Sequence, residues 1–219
     1  MSELPKRDFA AFFFDMDGTV LSSIKAAERV WTAWAGTHNL NIEELLPTIH
    51  GIKAEETIRR LQLPGVDPVL EAEIITAAEL EDLDGIEEIP GATSLLAALP
   101  DHRWGIVTSA PSILASRRIH AAGLPKPELL ITAEDVGEGK PAPDCFRLAA
   151  SRLGYSPSDC LVFEDSAAGV QSATAAGMTA IVVTATHSKS YDFYDVCIPD
   201  YRELSIEHLE SGFLRIHGL

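Results

Sequence analysis

The chain is 219 residues long and 46% hydrophobic, enough for one large domain or for one domain with a small insertion. Its 17 basic against 33 acidic residues leave a net charge of −16, which argues against nucleic acid and anionic membranes as partners. An anionic small molecule fits such a chain only at a site made locally positive by a cation, a lysine or helix N-termini.

Residues 9–14, ending in Phe12-Phe13-Phe14, read as a fully buried strand too short to span a membrane. The run stops at Asp15 and Asp17, one residue apart, followed by Gly18 and Thr19. In an extended chain the two carboxylates project to the same side. They repel unless a proton or a cation lies between them, and for a hard all-oxygen site near neutral pH that cation is magnesium. The same string also fits an ordinary Asp-Gly turn.

From residue 22 to residue 88 the spacing predicts helices and no strand, with helices over 26–38, 42–49, 54–61 and 68–83. Asp17-Gly18 precedes this region, and Asp84-Gly85 and Pro90-Gly91 follow it. It reads as a small all-helical domain, residues 22–88, inserted into a core of residues 1–21 and 89–219, where it would lie over the strand end as a lid. Trp31 and Trp34 read as the core of that domain. His50, Lys53, Glu28, Arg59 and Arg60 are its candidates for facing a ligand, and Arg59-Arg60 fits a solvated helix face as well.

Beyond the insertion, short apolar strands (104–107, 129–131, 161–163, 180–183) alternate with helices (92–99, 113–122, 144–153, 167–176). This is the pattern of an α/β fold, a Rossmann-like parallel sheet with helices on both faces, in which ligands bind at the carboxyl ends of the strands. After the 104–107 strand come Thr108 and Ser109 and then a helix start, a cradle for phosphate or simply a helix cap. After 129–131 comes Gly137-Glu138-Gly139-Lys140-Pro141, in which Gly139 and Pro141 fix the backbone around Lys140. A lysine so held suits a phosphoryl oxygen and a carboxylate, though a solvated loop lysine fits too. After 161–163 come Glu164 and Asp165, a second acid pair at a strand end or the cap of the next helix. Acids, hydroxyls and a lysine at successive strand ends are the parts of a magnesium phosphoryl-transfer site.

The strings Asp15-Met16-Asp17-Gly18-Thr19, Val107-Thr108-Ser109, Gly139-Lys140-Pro141-Ala142-Pro143-Asp144 and Phe163-Glu164-Asp165-Ser166-Ala167-Ala168-Gly169 resemble, in order, the four motifs of the haloacid dehalogenase superfamily. The helical insertion resembles that family's small α-helical cap. Residues 26–31, His50-Gly51 and residues 104–109 are most similar to its sugar phosphatases and to the fungal glycerol-phosphate and deoxyglucose-phosphate phosphatases. The resemblance implies that Asp15 attacks phosphorus and that Asp17 protonates the leaving alkoxide and then activates water. It implies Mg²⁺ on Asp15, the backbone carbonyl of Asp17 and Asp165, with Glu164 behind them, and Thr108, Ser109 and Lys140 on the phosphoryl oxygens. His50 and Lys53 are carried as substrate-binding residues.

The expected activity is hydrolysis of a small sugar or polyol phosphate, with a small-molecule phosphate ester as partner and no obligate protein partner evident. A sugar phosphomutase of the β-phosphoglucomutase kind is the alternative, and a non-catalytic phosphate-binding relative a further one. Mutases of this family carry a His early in the first cap helix where Ala27 stands here, and the family commonly has an Asp where Ser22 stands. Cys145, Cys160 and Cys197 are odd in number and show no Cys-x-x-Cys spacing, so each reads as a small apolar filler. A polar N-terminus without a secretory core segment completes the expectation of a cytoplasmic enzyme.

Overall fold

The computed structural model describes residues 8–186 and 196–219. Its centre is a six-stranded sheet of β2 (Ala11–Phe14), β5 (Trp104–Val107), β6 (Leu129–Ile131), β7 (Cys160–Glu164), β8 (Thr179–Val183) and β9 (Cys197–Ile198). The strand order is β6-β5-β2-β7-β8-β9 and every pairing is parallel. Such strands are buried on both faces, which is why Phe12-Phe13-Phe14 is a continuous apolar run rather than an alternating one.

Alternation divides the sheet between two cores. Phe12, Phe14, Ile106 and Phe163 face helices α5 (Ala92–Ala97) and α6 (Ser112–Ala121). Ala11, Phe13, Val107 and Val162 face α7 (Asp144–Leu153) and α8 (Ala167–Ala176). The rings of Phe14 and Phe163 stack at 4.9 Å and 5°, so the two central strands are joined by side chains as well as by their ladder.

The expected strand over 9–14 is in fact two. β1 (Asp8–Phe9) belongs to a separate antiparallel sheet with β11 (Leu214–His217) and β10 (Ser205–His208). The break falls at Ala10, whose N–H donates to the Asp159 carbonyl at 2.7 Å. β10 and β11 are only four residues each, and β10 is largely exposed, so neither stands out as a buried strand in sequence. Cys145 and Cys160 are buried as expected, whereas Cys197 is exposed.

The helical insertion comprises α1 (Ile24–Thr37), α2 (Ile42–Leu45), α3 (Ala54–Leu61) and α4 (Pro68–Glu81). It has its own apolar core of Val30, Trp31, Trp34, Leu45, Ile58 and Ile75, with the two indoles edge to face at 5.5 Å. The single helix expected over 42–49 is divided because Pro47 has no N–H to donate, and a 3₁₀ turn over Leu46–Thr48 replaces its second half. One expectation is corrected at the junctions, where β3 (Leu21–Ser22) pairs antiparallel with β4 (Glu87–Glu88). Two-residue strands are too short to produce a periodic signal. Among the described residues no helix is long and apolar enough to cross a membrane.

At the end of this ribbon, Gly91 has φ +86°, and a Cβ there would lie 2.8 Å from the backbone nitrogen of Arg202. The Pro90 carbonyl accepts from the Tyr201 N–H at 3.0 Å, so this turn is fastened to the C-terminal segment. Gly91→Ala is expected to cost about 2 kcal/mol or more in urea unfolding, from positive-φ strain plus the clash; an unchanged midpoint would contradict that packing.

Candidate active site

The sheet order places the ends of β5, β2 and β7 side by side, and each delivers polar side chains as its apolar run stops. Asp15 follows β2 and extends the ladder, its N–H donating to the Phe163 carbonyl at 2.9 Å. Thr108 follows β5 in the same way, donating to Ile131 at 2.9 Å. Asp165 follows β7, whose last residue is Glu164. Lys140 reaches between them from the loop after β6. Its Nζ donates to Asp15 Oδ1 at 2.5 Å, to Glu164 Oε1 at 2.6 Å and to the Val107 carbonyl at 3.0 Å. Those bonds employ all three ammonium protons.

Burial sets the electrostatics. Asp15, Lys140, Glu164 and Asp165 are all buried. Loss of water pushes the Asp15 carboxyl well above its ordinary value; Lys140 opposes that rise, while Glu164 and Asp165 add to it. Burial alone would push the Lys140 ammonium down, but Asp15 and Glu164 hold it well above the usual lysine range. Glu164 is held on both sides, since its Oε2 accepts from the Asp165 N–H, the Ser166 N–H and the Ser166 hydroxyl. The backbone leaves room for Asp165 only because residue 18 is glycine, where a Cβ would stand 2.0 Å from Asp165 Oδ2.

The Asp17 carboxylate turns away from this cluster. Its Oδ1 accepts from the Ser23 hydroxyl at 2.5 Å and from Arg118 Nη1 at 3.1 Å. Arg118, on α6, is itself buried, and its Nη2 lies 3.1 Å from Glu79 on α4 of the insertion. Among the described residues its Nε has no hydrogen-bond partner. Burial lowers the Arg118 pKa less than Asp17 and Glu79 raise it, so the guanidinium stays charged. Burial pushes the Glu79 carboxyl up against the opposing pull of Arg118. These groups line a cavity of about 80 Å³ between the strand ends and the insertion, together with Asp15, Trp31, His50, Thr76, Thr108 and Ser109.

The residues expected at the site are brought together unevenly. Asp15, Lys140, Glu164 and Asp165 form one bonded cluster, and Thr108, Ser109 and His50 line the cavity beside it. Ser109 does not cap α6; its hydroxyl donates to the Gly51 carbonyl of the insertion at 3.2 Å. The cap of α8 is Ser166 rather than either acid. Lys53 is placed elsewhere, with its Nζ donating to the Ala133 and Val136 carbonyls at 2.7 and 2.9 Å. Arg59 and Arg60 pair with Glu55 and Glu56 on the exposed face of α3, and Glu28 is not among the residues lining the cavity. Sequence reasoning missed Arg118, Glu79 and Ser23. A signal for the first two existed, because Arg118 falls on the buried stripe of Leu114, Ala115 and Ile119, and Glu79 falls four residues after buried Ile75. A charge on a buried stripe calls for a buried partner.

A model of the haloacid dehalogenase-like hydrolase family matches residues 9–177. The chain belongs to that family. Hexitol phosphatase A of Escherichia coli is 42% identical over 181 residues, covering 80% of this chain and 82% of that protein. The 2-deoxyglucose-6-phosphate phosphatase 1 of Saccharomyces cerevisiae is 31% identical and covers 92% of each chain. Among solved structures, a hydrolase from Pseudomonas syringae superposes with a TM-score of 0.70 at 25% identity, covering 80% of this chain and 84% of its own. A β-phosphoglucomutase from Clostridium difficile shares the fold, with a TM-score of 0.77 at 20% identity over 90% of this chain and 93% of its own.

For a haloacid dehalogenase-like hydrolase, Asp15, Glu164 and Asp165 are the metal candidate, each offering a carboxylate oxygen within 4.8 Å of the others. Three buried carboxylates beside the single Lys140 ammonium give the cluster more acid than base. An all-oxygen donor set with that excess, and an Asp15 whose ionisation burial opposes, fits a divalent hard cation.

Because the folded Glu79 pKa lies above its unfolded value, its contribution to stability is fully present below the ordinary 4.5 and is lost as pH rises through the folded value. Glu79→Gln should therefore gain stability relative to the parent as urea titrations move from pH 4 upward; a difference that is flat with pH would refute the assignment.

Proposed function

We propose that the protein is a Mg²⁺-dependent phosphatase of small sugar or polyol phosphates working through an aspartyl-phosphate. The observation that carries this is the convergence of Asp15, Lys140, Glu164 and Asp165 at adjacent strand ends, beside a cavity into which Asp17 faces. The names of the relatives support the substrate class.

In this reading an Asp15 oxygen attacks phosphorus, Thr108 and Ser109 hold the phosphoryl oxygens, and Lys140 joins them by giving up one of its present three bonds. Stabilising the charge there is the larger part of the catalysis. Asp17 gives its proton to the leaving alkoxide oxygen, then takes one from the water that attacks the aspartyl-phosphate, releasing phosphate and restoring Asp15. Ser23 and Arg118 aim that carboxyl at the cavity. Asp15, Asp165 and the Asp17 backbone carbonyl would hold the Mg²⁺, with Glu164 behind them anchoring Lys140. When bound, the ion neutralises the buried acids and the developing phosphoryl charge.

Residues 22–88 are the cap and 1–21 plus 89–219 the catalytic core, a division supported by the separate apolar core of α1–α4 and by the β3–β4 ribbon at the junctions. His50 lies on the cap side of the cavity as a substrate-binding residue, whereas the two carbonyls on Lys53 favour a tether between cap and core. Hydrolysis is favoured over phosphomutase chemistry because Ala27, which lines the cavity, brings no proton-carrying group. The cytoplasm is the fitting compartment for a chain whose three cysteines are free.

On a panel of sugar and polyol phosphates, phosphate release should require Mg²⁺ and fall by about 10³-fold or more in Asp15→Asn. Full activity in that variant or in EDTA would refute the mechanism. Asp17→Asn should lower kcat by about 10²- to 10⁴-fold. Conversion of a hexose 1-phosphate to its 6-phosphate without free phosphate would instead establish the mutase reading.

A further inference from the structure

The part of the substrate that leaves must occupy the cavity between the strand ends and the cap, because Asp17, the proton donor of the proposed reaction, faces it. Among the described residues lining that cavity, Arg118 is the only one with a guanidinium or an ammonium. Its charge is already met by Glu79 at 3.1 Å, and by Asp17 at 3.1 Å whenever that carboxyl is ionised. A second phosphate or a carboxylate on the leaving group would thus find no guanidinium or ammonium free of a counter-charge, and it would meet Glu79 as a like charge.

The same wall is well suited to hydroxyl groups. Arg118 is buried, and its Nε and Nη2 present almost no surface to the cavity. Glu79 offers carboxylate oxygens, and the Thr76 side chain, a hydroxyl, stands one helical turn before it on α4. A leaving-group hydroxyl can donate to these oxygens, whereas an anionic group has no proton to give them.

We infer that Arg118 and Glu79 form a specificity pair spanning core and cap, selecting monophosphates whose leaving group is an uncharged polyhydroxy chain and rejecting those with a second anionic group. The inference rests on the phosphatase reading above and narrows it. Glu79 accepts from the hydroxyls of the leaving group, and Arg118, its charge already paired with Glu79, leaves none for a second anion.

The test uses two matched pairs, glucitol 6-phosphate with 6-phosphogluconate and glycerol 3-phosphate with 3-phosphoglycerate. Within each pair a terminal hydroxymethyl group is exchanged for a carboxylate. With the Mg²⁺-loaded full chain, kcat/KM for the neutral member of at least one pair is expected to exceed that of its carboxylate partner by about tenfold or more, mostly through KM. In Glu79→Gln that ratio should fall by about threefold or more, a change that general loss of activity does not produce. Equal kcat/KM within both pairs for the parent enzyme would overturn the inference, as would an unchanged ratio in a folded Glu79→Gln. If that variant does not fold, the parent ratios decide alone. Failure to hydrolyse p-nitrophenyl phosphate along with every panel member would overturn the phosphatase reading itself, and is thereby distinct from hydrolysis without discrimination.

Discussion

The Lys140 ammonium is the contact on which the catalytic end of the molecule depends. It bonds Asp15 after β2, the Val107 carbonyl at the end of β5 and Glu164 at the end of β7, and so ties three adjacent strand ends at one point. None of these partners is free to turn to water, since all are buried. A buried pair of this kind adds little over a well-packed apolar substitute, yet losing one partner typically costs about 3–5 kcal/mol because a charge is stranded. The arrangement is therefore better understood as preorganisation than as stability. The lysine is held rigidly beside the Asp15 carboxylate, where the proposed reaction develops phosphoryl charge, and the backbone and hydroxyl donors on Glu164 hold the lysine's anchor in turn.

The insertion contrasts with that rigidity. Its interior is apolar and self-contained, but several of its contacts with the strand-end region are polar. Ser109 meets the Gly51 carbonyl, Lys53 meets two carbonyls of the loop after β6, and Arg118 meets Glu79. Polar contacts exchange readily for water, whereas an apolar seam resists opening. A two-stranded ribbon at the junctions offers few bonds to oppose a change of angle. Access for substrate and departure of product are thus compatible with an intact cap and an intact core.

The catalytic end was legible in sequence because its chemistry is written in contiguous strings that each follow a buried strand. Asp15 to Thr19, Thr108-Ser109, the loop around Lys140 and Glu164-Asp165 could be located by asking what stands where an apolar run stops. What could not be read is whatever depends on long-range pairing. The role of Arg118 needs Asp17 and Glu79, which come from two other segments of the chain, and the use of Lys53 depends on carbonyls some eighty residues away. Similarly, Phe9 looked continuous with β2 because only its pairing with Leu214 assigns it to the other sheet.

The placement of the indoles has a consequence outside catalysis. Of the three tryptophans, Trp104 is sealed in the sheet core, whereas Trp31 and Trp34 share the interior of the insertion. Trp31 also forms part of the cavity wall, and Trp34 lies 4.6 Å from the His38 ring and bonds Glu71. Whatever fills the cavity or shifts α1 against α4 alters the polarity around an indole, while the third remains as an internal reference. The molecule thus carries a native fluorophore at its entrance, through which occupancy can be followed by emission in the unlabelled protein.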